Sequence, residues 1–269
     1  MVKAALHSAF PGIETEVVYI TTKGDRVYDK PLSQIGGKGL FITEIEQALL
    51  RNEIDIAVHS AKDLPVRLAG GLEITAVLKR GDARDCLVTR HCENPGNSGS
   101  FVIGTGSRRR RMFMKKQAPN AAFSDIRGNV DTRIGKLLGG EFDGIILALA
   151  GLERLGIRSD DRIDINPFEL TEFLPAPCQG IIAAECRTGD DICRYLKQIC
   201  DHDTYSAFET ERYVIEKTGA DCGVPLGAFS EVLNGKISLH ISASQEKIIS
   251  GSDVCENRFK LAERLVNEL

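Results

Sequence analysis

Ile54-Asp55-Ile56-Ala57-Val58-His59-Ser60-Ala61-Lys62-Asp63-Leu64-Pro65 reads as a strand that stops in a polar cluster. The run Ile54–His59 is apolar enough for a buried strand. Pro65 disfavours helix at Leu64, so the chain leaves the strand through a turn. Open α/β sheets bind ligands where their strands end. An ammonium (Lys62) and a carboxylate (Asp63) side by side at such an end point to acid–base work on an anionic substrate.

Upstream, Glu16–Thr21 reads as a strand and the glycine-bearing Thr22–Lys38 as a mobile loop. Thr43 can cap a helix over Glu44–Arg51, with Glu46 at the capping-box position. Downstream comes a strand at Glu73–Leu78, and Gly81–Arg84 is a short polar link that can serve as a hinge. A second α/β unit follows, with strands at Cys86–Thr89, Phe101–Gly104, Ala122–Ile126 and Gly144–Leu149. Its helices are expected over Ser107–Lys116, Val130–Leu138 and Leu152–Leu155. Such alternation implies a mostly parallel sheet covered by helices. Phe173–Gly180 looks like a crossing segment and leads to a strand at Ile181–Glu185, then helices at Asp191–Cys200 and Thr204–Lys217. Ala228–Leu233, Lys236–Ser244 and Lys247–Ser250 alternate like an antiparallel sheet, with Asn234-Gly235 as a hairpin turn and a helix at Glu256–Glu268. The organisation expected is α/β with three domains: residues 1–79 with 178–198, residues 84–172, and a small α+β domain at 201–269.

Of the 269 residues, 42% are hydrophobic and 27% charged, an ordinary globular balance. A net charge of −4 argues against capture of nucleic acid by the molecule as a whole, so any anion site must come from local clustering. No apolar run approaches the roughly 20 residues of a membrane span. The N-terminus lacks a signal-peptide pattern, so a cytoplasmic protein is expected. The cysteines at 86, 92, 178, 186, 193, 200, 222 and 255 form no CxxC pair. That spacing argues against a zinc site and a disulfide scaffold, and reduced thiols with no metal are expected.

Three further segments carry chemistry. In Ile103-Gly104-Thr105-Gly106-Ser107-Arg108-Arg109-Arg110-Arg111 a strand passes through small residues into a helix start, where N–H groups, hydroxyls and guanidinium forks suit an anion. The alternatives are a solvated basic face or a nucleic-acid patch. Four successive arginines cannot share one helix face, so about two are expected to point at the ligand. Arg127 and Arg133 in Asp125–Arg133, and Arg154 after the strand end Ala148–Leu152, would bring further arginines to the same rim. Each alone could equally be a surface ion pair. Finally, Cys222 lies on the glycine-bearing loop Gly219–Gly227, as an attachment point, a nucleophile or an inert small residue.

Taken in order, these segments resemble the porphobilinogen deaminase (hydroxymethylbilane synthase) family. The motifs are Gly36-Gly37-Lys38-Gly39-Leu40-Phe41, Asp55–Pro65, Gly104–Arg110, Arg127–Arg133, Ala148–Gly156, Leu174-Pro175-Ala176, Gln179-Gly180, and Cys222 with Pro225 and Gly227. The resemblance implies three domains, the first two like the halves of a type II periplasmic binding protein with a cleft between them. It implies a dipyrromethane cofactor joined by a thioether to Cys222, and stepwise condensation of four porphobilinogen molecules into hydroxymethylbilane with loss of ammonia. Asp63 matches the catalytic aspartate, with Lys62 beside it. Lys62, Ser60, Thr105, Ser107, Arg109, Arg110, Arg127, Arg133 and Arg154 match contacts to cofactor and substrate carboxylates, and Lys38 and Phe41 match an active-site loop. It further implies a monomer with porphobilinogen as its small-molecule partner and neither nucleic acid nor membrane. The family pattern opens with an Arg-Ile-Gly-Thr-Arg-x-Ser-like strand, whereas Met1 here falls inside the next helix. An N-terminally short, inactive form is therefore one alternative, and a non-enzymatic anion-binding module is another. Ala220-Asp221 replaces the family's glycine pair, and Cys178 stands where the family has Gly or Ala.

Overall fold

The computed structural model describes residues 1–20, 43–92, 101–220, 224–244 and 247–269. The loop expected over Thr22–Lys38, together with Lys38, Phe41 and Cys222, lies outside these residues. The chain divides into two compact units, Met1–Arg80 with Ile181–Tyr205, and Gly81–Gly180 with Ser206–Leu269.

The first unit contains α1 (Val2–Ala9), α2 (Thr43–Leu50), β1 (Ala57–Ser60) and β2 (Leu72–Val77). After the return of the chain it adds β8 (Ile182–Arg187) and α6 (Ile192–Gln198). Its sheet has the order β1-β8-β2, and β8 is antiparallel to both neighbours. β2 leads out of the unit at Arg80 and β8 leads back in from Ile181, so the two strands run in opposite directions. Ala76, Ala184, Cys186 and Leu196 form one apolar cluster, and Leu49, Ala57 and Leu72 another. Glu16–Ile20 is not a strand: these residues have no regular structure, and Val17, Val18 and Tyr19 are exposed. An apolar alternation makes a strand only where a neighbour supplies ladder hydrogen bonds. No described strand pairs with it.

The second unit has a mixed sheet of order β5-β4-β6-β3-β7, not the mostly parallel one that its β/α alternation implies, because β3 pairs antiparallel on both sides. Its strands are β3 (Asp85–Arg90), β4 (Val102–Gly104), β5 (Ala122–Ser124), β6 (Gly144–Ala148) and β7 (Ile163–Pro167). β4 is parallel to β5 and β6, whereas β3 is antiparallel to β6 and β7. Helices α3 (Arg108–Gln117), α4 (Val130–Leu138) and α5 (Leu149–Arg154) follow β4, β5 and β6 in turn. β7 is short, and its Ile163-Asp164-Ile165-Asn166 alternation runs into Pro167, a weak strand signal. At a sheet edge those residues are tolerated, Pro167 included.

The same unit holds the meander β9 (Gly227–Leu233), β10 (Lys236–Ser242) and β11 (Ile249–Val254), all antiparallel. Asn234 and Gly235 both have positive φ, 52° and 74°, as a two-residue hairpin turn requires. Val214 of α7 (His202–Thr218) and Leu261 and Leu265 of α8 (Arg258–Val266) pack against Ile237, Leu239 and Ile241.

Candidate active site

The β1 end is held from below and open above. Glu185 is fully buried on β8, and its Oε2 lies 2.8 Å from Nε2 of His59. His59 Nε2 is thus fixed one residue before Ser60. Ala61 N–H donates to Ile181 O at 3.0 Å, and Leu64 N–H to Ala61 O at 3.3 Å. These bonds wind Ala61–Asp63 into one 3-10 turn, which ends at Leu64 ahead of Pro65. Ala61 and Leu64 point into the core, whereas Ser60, Lys62 and Asp63 are exposed. A rigid backbone therefore presents an ammonium, a carboxylate and a hydroxyl together. Glu46 lies on α2, its Oε1 accepting from Ala69 N–H at 3.1 Å. Burial pushes its carboxyl upward, the nearby Glu185 adds to that, and the Ala69 bond opposes it.

The β4–α3 turn is built differently. Thr105 is buried and its Oγ1 accepts from Ser107 N–H at 3.2 Å. Ser107 caps α3, its Oγ accepting from Arg110 N–H at 3.3 Å. Of the four arginines, Arg109 and Arg110 turn inward onto Asp85, the fully buried first residue of β3. Arg110 donates from Nε and Nη2 to Asp85 Oδ1 at 3.0 and 2.7 Å, and from Nη1 to Ile146 O at 2.7 Å. Arg109 Nη2 stands 2.7 Å from Asp85 Oδ2, and its Nη1 donates to Leu174 O. Gln179 Nε2 donates to Asp85 Oδ1 at 3.0 Å and to Ala83 O at 2.8 Å. Burial by itself would raise the Asp85 carboxyl. The two guanidinium charges and the Gln179 bond outweigh it and hold the group at about 2. Burial conversely lowers Arg109, which Asp85 partly offsets. Two cations share one carboxylate, so this buried cluster keeps an excess positive charge.

Arg111 donates to Thr105 O from Nε and Nη2 at 3.0 and 2.9 Å and pairs with Asp125, while Arg108 is exposed. Arg127 is half-buried at the end of the β5 segment, with no ion pair among the described residues. Arg133 Nε donates to Gly128 O at 2.7 Å from the first turns of α4. Arg154 Nη2 donates to Gly180 O at the crossing segment, and burial lowers its basicity.

Ser60, Lys62 and Asp63 thus belong to the first unit, and Thr105, Ser107, Arg109, Arg110, Arg127, Arg133 and Arg154 to the second. Sequence reasoning missed Asp85 and Glu185. A lone acid at the head of the apolar run Cys86–Val88, and another inside Ile181–Cys186, were the available signals.

Comparison with known proteins bears on what these groups do. Residues 1–194 match the family model described as "Porphobilinogen deaminase, dipyromethane cofactor binding domain". The porphobilinogen deaminase of Streptococcus sanguinis is 44% identical over 233 residues, which covers 84% of this chain and 74% of that protein. That of Syntrophobacter fumaroxidans is 42% identical over 240 residues, covering 88% and 77%. Among solved structures, the periplasmic VFT2 domain of Bordetella pertussis BvgS is similar at a TM-score of 0.43 and 14% identity, over 77% of this chain and 80% of that one. The family match and the two sequence relatives suffice: the chain belongs to the porphobilinogen deaminase family.

Proposed function

We propose that the chain condenses porphobilinogen stepwise into hydroxymethylbilane, releasing ammonia at each addition, on a dipyrromethane held by a thioether to Cys222. The observation that carries this reading is the excess positive charge of the Arg109–Arg110–Asp85 cluster together with Arg127, which has no ion pair among the described residues. Each pyrrole of the proposed ligand carries an acetate and a propionate. A donor set of guanidinium groups fits such a polycarboxylate, because forked N–H pairs match carboxylate geometry.

When bound, dipyrromethane supplies the pyrrole carbon to which the next ring is joined. Arg127 and Arg133 bind carboxylates by forked hydrogen bonds. Arg109 and Arg110, fixed on Asp85, contribute charge, and Thr105 and Ser107 fix the start of α3. Arg154 adds a further cation beside the crossing segment. Asp63 accepts the pyrrole N–H of porphobilinogen and offsets the positive charge that grows as ammonia departs. Lys62 and Ser60 bind substrate carboxylate next to it. By the resemblance, Lys38 and Phe41 match the family's active-site loop. We assign residues 1–79 with 178–198, 84–172 and 201–269 to three domains of a cytoplasmic monomer. No described helix is long and apolar enough to cross a membrane.

Intact-mass spectrometry of the protein from a porphobilinogen-producing host tests the proposal. The expected result is a mass increment of two pyrrole units that disappears in Cys222→Ser. An unmodified wild-type mass would contradict it.

A further inference from the structure

Glu73 and Thr75 lie 111 or more positions from Cys186 and Cys193, but the first unit brings the two pairs together. Glu73 on β2 is the direct cross-strand partner of Cys186 on β8, so both side chains stand on one face. The register between β2 and β8 shifts between Ile74 and Ala76, which marks a bulge at Thr75. Bulges re-aim side chains, often next to functional sites. Thr75 Oγ1 lies 3.0 Å from Cys186 Sγ, 3.8 Å from Cys193 Sγ and 3.4 Å from Glu73 Oε1. Cys193, near the start of α6, completes the group, its Sγ 3.4 Å from Cys186 Sγ and 3.4 Å from Glu73 Oε1. Both thiols and Thr75 are buried, while Glu73 is half-buried and gives a path from the surface.

These five separations are edges of a small tetrahedron whose sixth edge, Glu73 to Cys186, is within 4.8 Å. With edges near 3.4 Å its centre lies about 2.1 Å from each corner, against roughly 2.0–2.3 Å for zinc to oxygen and sulfur. A carboxylate stands here against two thiols, and no described Lys, Arg or His forms an ion pair with Glu73. A disulfide between Cys186 and Cys193 would use two of the four groups and leave that carboxylate only its hydrogen bond from Thr75. A cation uses all four.

We propose that Glu73, Cys186 and Cys193, with Thr75 at the fourth corner, bind one divalent cation of the zinc class. The site is closed by protein groups, the pattern of a structural metal centre. It ties α6 to the β2–β8 pair. On binding, both thiols give up their protons to solvent, both sulfurs coordinate as thiolates, and no electron is transferred. Burial, and after it the neighbouring Cys193 and Glu73, push the Cys186 thiol up to about 12, with Thr75 opposing. The cation supplies the charge that reverses this.

The test is titration of the reduced, chelator-stripped full chain with Co2+, followed by displacement with Zn2+. The expected result is sulfur-to-cobalt charge-transfer absorption with tetrahedral d–d bands, saturating at one ion and abolished by Zn2+. Cys193→Ser and Cys186→Ser should lose the signal, while Cys92→Ser, at an exposed position, keeps it. Glu73→Gln, which leaves both thiols in place, should weaken cobalt binding by roughly 10-fold or more. The wild type should also gain melting temperature with Zn2+, a gain diminished in Glu73→Gln. Absence of the absorption, or its persistence in the Cys186→Ser/Cys193→Ser double variant, would overturn the proposal. So would a Glu73→Gln variant that binds Co2+ as tightly as wild type.

Discussion

Arg110 grips Asp85 through two nitrogens on one oxygen, Nε at 3.0 Å and Nη2 at 2.7 Å, with no part of the carboxylate reaching solvent. Removing the acid would leave two guanidinium groups buried without a counter-charge. Asp85→Ala should therefore cost about 3–5 kcal/mol, read from urea unfolding. A loss below about 1 kcal/mol would mean that the cluster relaxes into solvent.

The same carboxylate predicts an acid limb. Its folded value of about 2 lies below the ordinary carboxyl value of 3.8. A depressed value contributes stability that is fully present above the unfolded value and is lost as pH falls through the folded one. The window is therefore about pH 4 down to about pH 2, and its weight is about 2 kcal/mol. Unfolding free energies across that range should show a downward slope that Asp85→Asn reduces.

His59 and Glu185 set the β1 end. Glu185→Ala removes the partner of a buried imidazole and should cost about 1–3 kcal/mol. The loss should be local as well as global. Amide exchange at Ala61 and Leu64, whose N–H groups close the turn, should accelerate relative to the β9–β11 meander.

Gly180 has a φ of +86°, and a Cβ there would meet Gly81 O at 2.7 Å. Gly180→Ala adds a disfavoured backbone conformation, worth about 1–2 kcal/mol, to a clash with main chain. Thermal unfolding should fall accordingly. Cys178, two residues earlier, also has positive φ, 62°.

Much of this was legible because local patterns and packing agree. The strand-turn-helix at Thr105 and the Asn234-Gly235 turn each carry a local signal that the fold keeps, whereas the apolar run Ile54–His59 becomes strand only from Ala57 and leaves Val58 exposed. Strand direction was not legible, since an apolar run reads alike either way along the sheet. The inward turn of Arg109 and Arg110 depends on Asp85, more than twenty positions away, and only packing reveals it. The Glu73–Cys186–Cys193 group is hidden for the same reason: cysteine spacing reports local ligand pairs, whereas this one spans strand, bulge and helix. Glu16–Ile20 shows the converse, a strand-like pattern with no neighbour to pair it among the described residues.

Asp63 is exposed, so its removal should hardly touch the fold. Asp63→Ala should change stability by no more than about 0.5 kcal/mol. It should lower turnover by roughly 100-fold to 10,000-fold, the range for a group acting on a proton or a developing charge. Near-normal turnover in a folded Asp63→Ala protein would remove it from the chemistry.

The central claim is that porphobilinogen is joined ring by ring on Cys222. Its most direct measurement is intact mass after brief incubation with limiting porphobilinogen, with ammonia release measured in parallel. The expected result is a ladder of species above the cofactor-bearing protein, each one pyrrole heavier, with one ammonia released per ring added. No ladder is expected in Cys222→Ser. A single unchanging mass with no ammonia, or an undiminished ladder in Cys222→Ser, would contradict it.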